Sequence, residues 1–580
     1  MQVTFINSPR LPGFPSAKVT FLYIIMFSGA GINRYTGPTV EMEVHMQQRM
    51  KHWGWGFEDK PETPPLVVRN VESYFSSLFG IREFKPVPIP DLNEAIIGAP
   101  RLNVPHRFSG FCTTDKIERI RHAVGRSFLD YATIYSNRYD YAPDVVAFVR
   151  SEEDIQEIYN WAVQVRAAVI PFGGGTSTSG GVEPIVGPDF AGVIAVDMRR
   201  FNRILETDHV SQSARMQAGA TGNEIEAALK TNGYSLRHYP QSLQHSTLGG
   251  WIATRSAGHF ATLFTRIDDY VQNMRVVTPA GVIETRRMPP DGAGPDPDRL
   301  FMGSEGGLGI ITEAWMRIQK RPRFRASIAV FFDDFLKGCE AIRVIAQSGL
   351  NPSNLRIIDA EEARVNHVSA RNQSILFLGF ESADHAVVGQ MDRALEICAD
   401  HGGQFDREVL GHPDSNRQAE QGRWRDIFVE TGYYREVTTP RNIIYGIMET
   451  SITWDKFPTV YNSVMSAVQA AIKEATGRPG SLSCRFSYVY PDGPAPYWSF
   501  YCLGSRDEMK QQWKHVKTAA TNEFLKHGGS VTHHTSIGRD NMLWYEKQTD
   551  PLFRKSLAAT RKVFDPAGIM NPGVIYPSTR

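Results

Sequence analysis

Three glycine-rich loops and one pair of histidines are the places in this 580-residue chain where residue types and spacing suit chemistry. The first loop reads Pro171, Phe172, Gly173, Gly174, Gly175, Thr176, Ser177. Consecutive glycines can adopt positive φ and turn backbone N–H groups toward an anion, and the two hydroxyls add donors, so the loop suits a pyrophosphate. A P-loop would carry Lys after its second glycine, where Thr176 and Ser177 stand. A dinucleotide-binding loop would open a helix, and residues 182–186, Val-Glu-Pro-Ile-Val, open one poorly. A plain tight turn is the remaining alternative. Further glycine loops follow at Thr247-Leu-Gly-Gly-Trp251 and Gly303-Ser-Glu-Gly-Gly-Leu-Gly309. His533 and His534 could pass protons or polarise a carbonyl, or simply be hydrogen-bonded structure. In a strand adjacent side chains point to opposite faces, so only one of the two would enter a site. No HExxH and no third nearby ligand accompanies them, so no metal is expected.

The elements that must hold these loops follow in mixed order. A strand over 144–149 precedes a helix whose N-cap is Ser151, with acids in its first turn and apolar Ile155, Ile158, Ala162 and Val163 near helical spacing. A short apolar strand, 167–172, then runs straight into the first glycine loop. Strands are expected at 193–197, 213–217, 271–278 and 310–318, with a helix over 223–232. A second region has strands at 326–332 and 374–380 and helices near 384–401 and 457–476, and the tail from about 540 reads as helical. Residues 1–134 form an N-terminal extension and docking segment with a helical patch at 41–51. Its Lys51-His-Trp-Gly-Trp-Gly-Phe57 is a docking loop that plugs two tryptophans into a core. Residues 135–322 make one α+β domain, 323–540 an α+β cap, and 541–580 a segment returning to the first domain.

The balance of 63 basic against 62 acidic residues provides no global field toward nucleic acid. The five cysteines, Cys112, Cys339, Cys398, Cys484 and Cys502, have neither CxxC nor zinc spacing, and each reads as a small buried hydrophobe with a free thiol. The apolar run 19–27 is too short to span a bilayer and is read as an early strand, or as lying upstream of the true start.

The first loop, then Pro240-Gln-Ser-Leu-Gln-His-Ser-Thr-Leu-Gly-Gly-Trp251, then Gly303-Ser-Glu-Gly-Gly-Leu-Gly-Ile-Ile-Thr312, and finally Asp565-Pro-Ala-Gly-Ile-Met-Asn-Pro-Gly573 resemble, in order and spacing, the signatures of the vanillyl-alcohol-oxidase family of flavoproteins. The resemblance implies an α+β fold, with a two-subdomain FAD-binding domain of the PCMH type plus an α+β cap, and FAD as cofactor; with no clear histidine or cysteine tether in the sequence, the FAD is expected to be held noncovalently. It adds Gln241, Ser242, Leu243, Gln244, His245, Ser246 and Thr247, then Thr254, Arg255, Ser256 and Ala257, then Glu305, Gly306, Gly307, Leu308, Gly309, Ile310 and Ile311, to residues 171–177 as candidates for holding the cofactor.

Lys51-His-Trp-Gly-Trp-Gly-Phe57, Thr247-Leu-Gly-Gly-Trp-Ile-Ala-Thr-Arg-Ser-Ala-Gly258 and Glu449-Thr-Ser-Ile-Thr-Trp-Asp455 resemble one branch, the alkyldihydroxyacetonephosphate synthases of ether-lipid synthesis. Their reaction has no net redox change: the fatty acid of an acyl-dihydroxyacetone phosphate is exchanged for a fatty alcohol. Such chemistry needs a base beside a ketone, an anion site and a greasy tunnel. Counted without gaps from Cys484-Arg485, Tyr497 matches the branch's active-site tyrosine, although a phenol is a poor base unless its pKa is lowered; a packing tyrosine is the alternative. Arg435 matches its substrate-binding arginine, with Arg441 as the partner if the intervening loop differs in length and a surface salt bridge as the plain reading. His533 and His534 stand where the branch has three histidines; Thr535 takes the third place and Ser536 that of a glycine, while Gln241 replaces an acid.

By the same resemblance the partners are a small-molecule lipid or alcohol substrate, a second copy of the chain and a peripheral membrane contact, with no nucleic acid. The location is expected to be cytoplasmic or peripheral to a membrane, since no peroxisomal signal is evident. A flavin-linked oxidase or dehydrogenase of a hydroxy acid or aromatic alcohol is the alternative function, because fold does not fix chemistry. A non-enzymatic flavin-binding protein is the third.

Overall fold

The computed structural model describes residues 49–60, 62–369, 371–411, 428 and 430–576. The apolar run 19–27 and most of the helical patch expected at 41–51 lie outside the described residues.

Three sheets of four or more strands carry the chain. β1 (Cys112–Thr113), β2 (Val145–Phe148), β3 (Ala167–Phe172) and β4 (Gly192–Asp197) lie in the order β1-β2-β4-β3, with β4 parallel to β2 and β3. Parallel neighbours need a crossover, and α1 (Glu152–Val165) supplies it between β2 and β3. The Ser151 side chain accepts the Asp154 N–H at the start of α1, and three acids in the first turn face its positive end. Ile155, Ile158 and Ala162 are buried, whereas Val163 is 46 % exposed and falls off the stripe expected from its spacing. The order helix, strand, glycine loop is therefore present, and residues 182–186 do not open a helix.

A five-stranded sheet follows: β5 (Ile204–Asp208), β6 (Ser213–Gln217), β7 (Val271–Thr278), β8 (Gly281–Glu284) and β9 (Ile310–Arg317), in the order β8-β7-β9-β6-β5. Over it lie α2 (Gly222–Lys230), held by a capping box of Thr221 and Glu224, and α3 (Leu248–Thr254), which begins at the second glycine loop. Two backbone bonds, Leu248 N–H to Ala220 O and Gly249 N–H to Ala218 O, pin that loop to the end of β6.

The third sheet is antiparallel throughout and has six strands, β10 (Phe324–Phe332), β11 (Asn354–Ile358), β12 (Ser374–Ser382), β13 (Ile443–Glu449), β14 (Ser481–Val489) and β15 (Pro494–Leu503), in the order β10-β12-β11-β14-β15-β13. Period-two alternation divides its faces. Ile444, Met448, Cys484, Phe486, Trp498 and Phe500 enter a core shared with α4 (Phe335–Gln347), α5 (Val388–Asp400), α6 (Phe457–Thr476) and α7 (Met509–Lys526). Each large side chain buried there contributes about 1.5–3 kcal/mol, so this face holds the sheet and the other is free to carry polar groups.

The chain ends with α8 (Met542–Gln548) and α9 (Pro551–Phe564), then turns back. Asp565 accepts the Ile569 and Met570 N–H groups, and residues 569–571 run beside β3 through Val169 N–H to Ile569 O and Asn571 N–H to Val169 O. The five cysteines are buried free thiols.

One expectation fails. Residues 531–535 are not a strand but an irregular loop, because the N–H groups of His533, His534 and Thr535 turn toward a single carboxylate instead of a neighbouring strand.

Candidate active site

β3 ends in the first glycine loop, and the loop lies flush against the second one. A Cβ on Gly174 would overlap the carbonyl oxygen of His245, and Gly175 sits at φ +64°, so glycine is required here by close approach and by backbone conformation. A cavity of about 230 Å³ opens beside the loop. Its walls include residues 173–178, Gln241, Ser242, Ser246, Thr247, Thr254, Ser256 and Ala257 on one side, and Arg356, Arg435, Arg485, Tyr488, Tyr497 and His534 on the other. A second cavity of about 120 Å³ continues from it, sharing Gly173, Ser177, Thr247, Gly250 and Ser536. The second cavity is mainly apolar, with Pro171, Phe172, Met198, Ala253, Ile310 and Ile311, and takes in Glu305, Gly306 and Gly309. An elongated space with an anion-binding loop of glycines at its middle and an apolar slot beyond fits a dinucleotide carrying a flat ring.

Six cofactor candidates stand behind this wall instead. Leu243 packs where a side chain on Gly222 would go, and Gln244 bonds Tyr433. His245 lies between Trp55 and Phe57, and burial drives its pKa down to about 3, so it is neutral. Arg255 reaches out to Asp268 at 2.7 Å, Gly307 abuts Tyr576, and Leu308 is fully buried in the core of the second sheet. Glu305 accepts the Ile537 and Gly538 N–H groups at 2.7 and 2.8 Å; burial nonetheless pushes its carboxyl up to about 7.

The cap side is built on the polar face of the six-stranded sheet. Arg485, Tyr497 and Glu449 stand in register across β14, β15 and β13, so three side chains far apart in sequence form one row. Tyr445 and Ile447 share that face on β13. Four guanidiniums line the cavity or its edge. Arg485 is paired with Glu362 at 2.6 Å. Among the described residues no carboxylate is recorded against the other three. Arg126 is spent on the carbonyls of Lys51, Gly54 and Gly125, Arg356 donates to His259 O at 3.1 Å, and Arg435 makes one long bond of 3.3 Å to Arg126 O. The Arg435 Nε is buried without a partner among the described residues. Burying cations without counter-ions costs several kcal/mol each, and an incoming anion relieves it. Arg441 is elsewhere: its guanidinium holds Glu72 and the Val437 carbonyl.

Tyr497 is buried. Burial, then the neighbouring Tyr445, raise its phenol well above the ordinary value, and Arg485, 4.1 Å over its ring, and Arg435 only offset this. The phenol is therefore held protonated at neutral pH. The two histidines divide as opposite faces would, though by loop geometry. The His533 ring nitrogen Nε2 meets the Tyr490 hydroxyl at 3.0 Å, and burial, then His534, hold its pKa well below the usual range. It does not line the cavity, and its ring stays neutral and structural. His534 does line it, with its ring stacked on Tyr497 at 6.0 Å between centroids and its Nδ1 2.6 Å from Glu449. Thr535, in the place of a third histidine, puts its hydroxyl on the same carboxylate at 2.7 Å. Gln241 donates to the Phe428 carbonyl and the Thr431 hydroxyl, tying the second glycine loop to the segment that carries Arg435.

Sequence reasoning passed over Trp55, Arg126, Arg356, Arg485, Tyr488 and Glu449. The alternation of β13 and β14 placed Glu449 and Arg485 on one face, but which face meets the glycine loops is set by tertiary packing. The docking loop carries more than its two tryptophans: Lys51 is fully buried and paired with Glu436 at 3.0 Å, and this pair holds Trp55 at the cavity wall.

Known proteins resemble this chain along most of its length. The family described as FAD binding domain matches residues 143–286, and that described as FAD linked oxidases, C-terminal domain, matches 321–575. The chain is 26 % identical to the alkyldihydroxyacetonephosphate synthase of Dictyostelium discoideum, over 90 % of this chain and 86 % of that one. It is 27 % identical to the enzyme of the same name from Trypanosoma brucei brucei, over 80 % and 78 %. A solved alkyldihydroxyacetonephosphate synthase structure superposes with a TM-score of 0.74 at 24 % identity, covering 91 % of this chain and 99 % of that one.

Proposed function

We infer the reaction from a premise and a pocket: the chain belongs to the vanillyl-alcohol-oxidase type of FAD-binding enzymes, and FAD is its cofactor. The reaction is the exchange of the acyl chain of acyl-dihydroxyacetone phosphate for a fatty alcohol, the activity named in its relatives. The observation that carries it is the pair of guanidiniums of Arg356 and Arg435, against which no carboxylate is recorded among the described residues, opening on the same cavity as Tyr497 and His534. A phosphate ester is the anion such a fork accepts.

Residues 173–177, Thr247 and the slot from Glu305 to Ile311 hold the FAD, without a covalent tether. When bound, FAD supplies an electrophilic ring at the reacting carbon. Arg435 and Arg356 seat the phosphate, Tyr497 donates a hydrogen bond to the ketone oxygen, and His534 moves the proton. Ile447, Phe428 and the rings of Tyr445 and Tyr488 supply apolar surface on the cap wall against which an alkyl chain can lie. Acid precipitation should release the yellow colour to the supernatant; colour retained in the pellet would show a covalent link.

The match of the C-terminal half to FAD linked oxidases favours a second reading, oxidation of a hydroxy acid. Titration with an acyl-dihydroxyacetone phosphate separates the two. The first reading predicts a saturable shift of the flavin spectrum without bleaching. Bleaching by a hydroxy acid, reversed by oxygen, with no response to the ester, would favour the second.

The same proposal extends to a peripheral membrane contact. No helix among the described residues is long and apolar enough to cross a bilayer. α9, however, turns Leu552, Ser556, Ala559 and Val563 outward at helical spacing, with Leu552 74 % and Val563 65 % exposed. Lys555 and Lys562 flank this stripe, and the opposite face, with Leu557 and Phe564, packs inward. An apolar stripe edged by lysines suits an anionic lipid surface, where each lysine adds about 1 kcal/mol. Sedimentation with phosphatidylserine-containing vesicles should fall roughly tenfold in a Leu552→Glu/Val563→Glu variant. Equal sedimentation of both proteins would remove the contact.

A further inference from the structure

Glu449, the last residue of β13, is 4 % exposed and gathers an unusual number of donors. Its Oε1 accepts the N–H groups of His533, His534 and Thr535 at 3.1, 2.8 and 2.7 Å, and the hydroxyls of Thr532 and Thr535 at 2.6 and 2.7 Å. Its Oε2 lies 2.6 Å from Nδ1 of His534, a nitrogen that is also 3.1 Å from Nδ1 of His533. Burial alone would raise this carboxyl, but the neighbouring His534, then His533 and the Thr532 hydroxyl, outweigh it, and the carboxyl lies well below its usual range. The carboxylate is thus ionised and oriented. One oxygen is anchored by five donors, and the other is aimed at one ring nitrogen.

We propose that Glu449 is a positioning residue: it keeps a proton on Nδ1 of His534, so that Nε2 is the nitrogen left to accept a proton on the cavity side, and Thr535 locks the carboxylate in that orientation. A carboxylate accepts and cannot donate, so a ring nitrogen 2.6 Å away must carry the hydrogen. His534 then takes the hydroxyl proton of the incoming alcohol at Nε2 as the new C–O bond forms. The O–H bond breaks and the N–H bond forms, the electron pair freed on oxygen makes the new C–O bond, the bond lost at that carbon over the exchange is the C–O bond to the fatty acid, which leaves as its carboxylate with that electron pair, and Glu449 stabilises the resulting imidazolium. The proton leaves with the fatty acid or to solvent. In this sense Thr535 replaces a third imidazole by a hydroxyl that serves the carboxylate rather than the substrate. The identity of the proton's donor rests on the transfer reading above; the coupling of Glu449 to His534 does not.

The test is the histidine tautomer in the holoenzyme, read by ¹⁵N NMR with labelled histidine and assigned by the signal missing in H534Q. Wild type is expected to show Nδ1–H at His534. In Glu449→Gln the five donors keep the amide oxygen at the anchored position, the amide NH₂ faces Nδ1, and the tautomer inverts to Nε2–H. With it kcat falls about 10²–10³-fold while KM for the ester moves little. Thr535→Val, which keeps the N–H and loses the hydroxyl, should populate both tautomers and lower kcat roughly fivefold. An unchanged tautomer in either variant, or a kcat for Glu449→Gln close to wild type, overturns the proposal. A variant that fails to fold leaves Thr535→Val to decide. If wild type makes no ether at all, the reaction assignment falls while the tautomer result still judges Glu449.

Discussion

Tyr497→Phe should lower kcat by about 10²–10⁴-fold with the ester's KM nearly unchanged. The ring is what packs: it stacks on His534 and lies under Arg485, and phenylalanine keeps both contacts. Only the hydroxyl is lost, and burial holds that hydroxyl protonated well beyond neutral pH. A group in that state can donate to a ketone oxygen as negative charge develops there, but cannot abstract a proton. The variant should therefore keep its flavin and its melting temperature while losing turnover, and no alkaline limb of the pH–rate profile should be traceable to this phenol. Stopped assays with saturating ester check the prediction, and a loss below threefold would exclude Tyr497 from the chemistry.

Arg435→Ala is expected to act on the other constant. Its guanidinium makes one long bond to a backbone carbonyl and leaves Nε buried and unpartnered among the described residues, so its donors are available to an anion. Two charge-assisted hydrogen bonds to a phosphate are together worth about 3 kcal/mol, so KM for the phosphate ester should rise about 10²-fold, with a smaller change in kcat. Arg435→Lys keeps the charge and loses the fork, and should fall between. Arg441→Ala is the contrast: that side chain is committed to Glu72, and its loss should leave KM alone and cost only stability.

The local pieces of this fold were legible because their signals are local. Strand 167–172 and helix 457–476 appear with the bounds that apolar runs and periodicity imply, and the glycine loops lie where the chain must approach itself closely. Misreadings arose where a tertiary partner overrode a local pattern. Val163 sits on the helical stripe by spacing but faces solvent, because α1 packs over a narrower arc. Residues 531–535 look extended, yet Glu449, more than eighty positions earlier, withdraws their N–H groups from any ladder. The candidate site divides the same way. Tyr497, Arg435 and His534 were reached through motif resemblance, and the structure brings all three to one cavity. Arg356, Arg126 and Glu449 carry no motif of their own. They matter through what they lack or collect, a counter-ion among the described residues in the first two and donors in the third, and neither property exists until the cap sheet closes on the glycine loops.

The central claim is a transfer with no net oxidation, carried out in a cavity built for a phosphate ester. Purified yellow protein incubated with palmitoyl-dihydroxyacetone phosphate and labelled hexadecanol, with an oxygen electrode in the same vessel, tests it most directly. The account predicts label in an alkali-stable ether, one fatty acid released per ether formed, and no oxygen consumed. Absence of ether product, with oxygen uptake on addition of a hydroxy acid or phenolic alcohol, would contradict it.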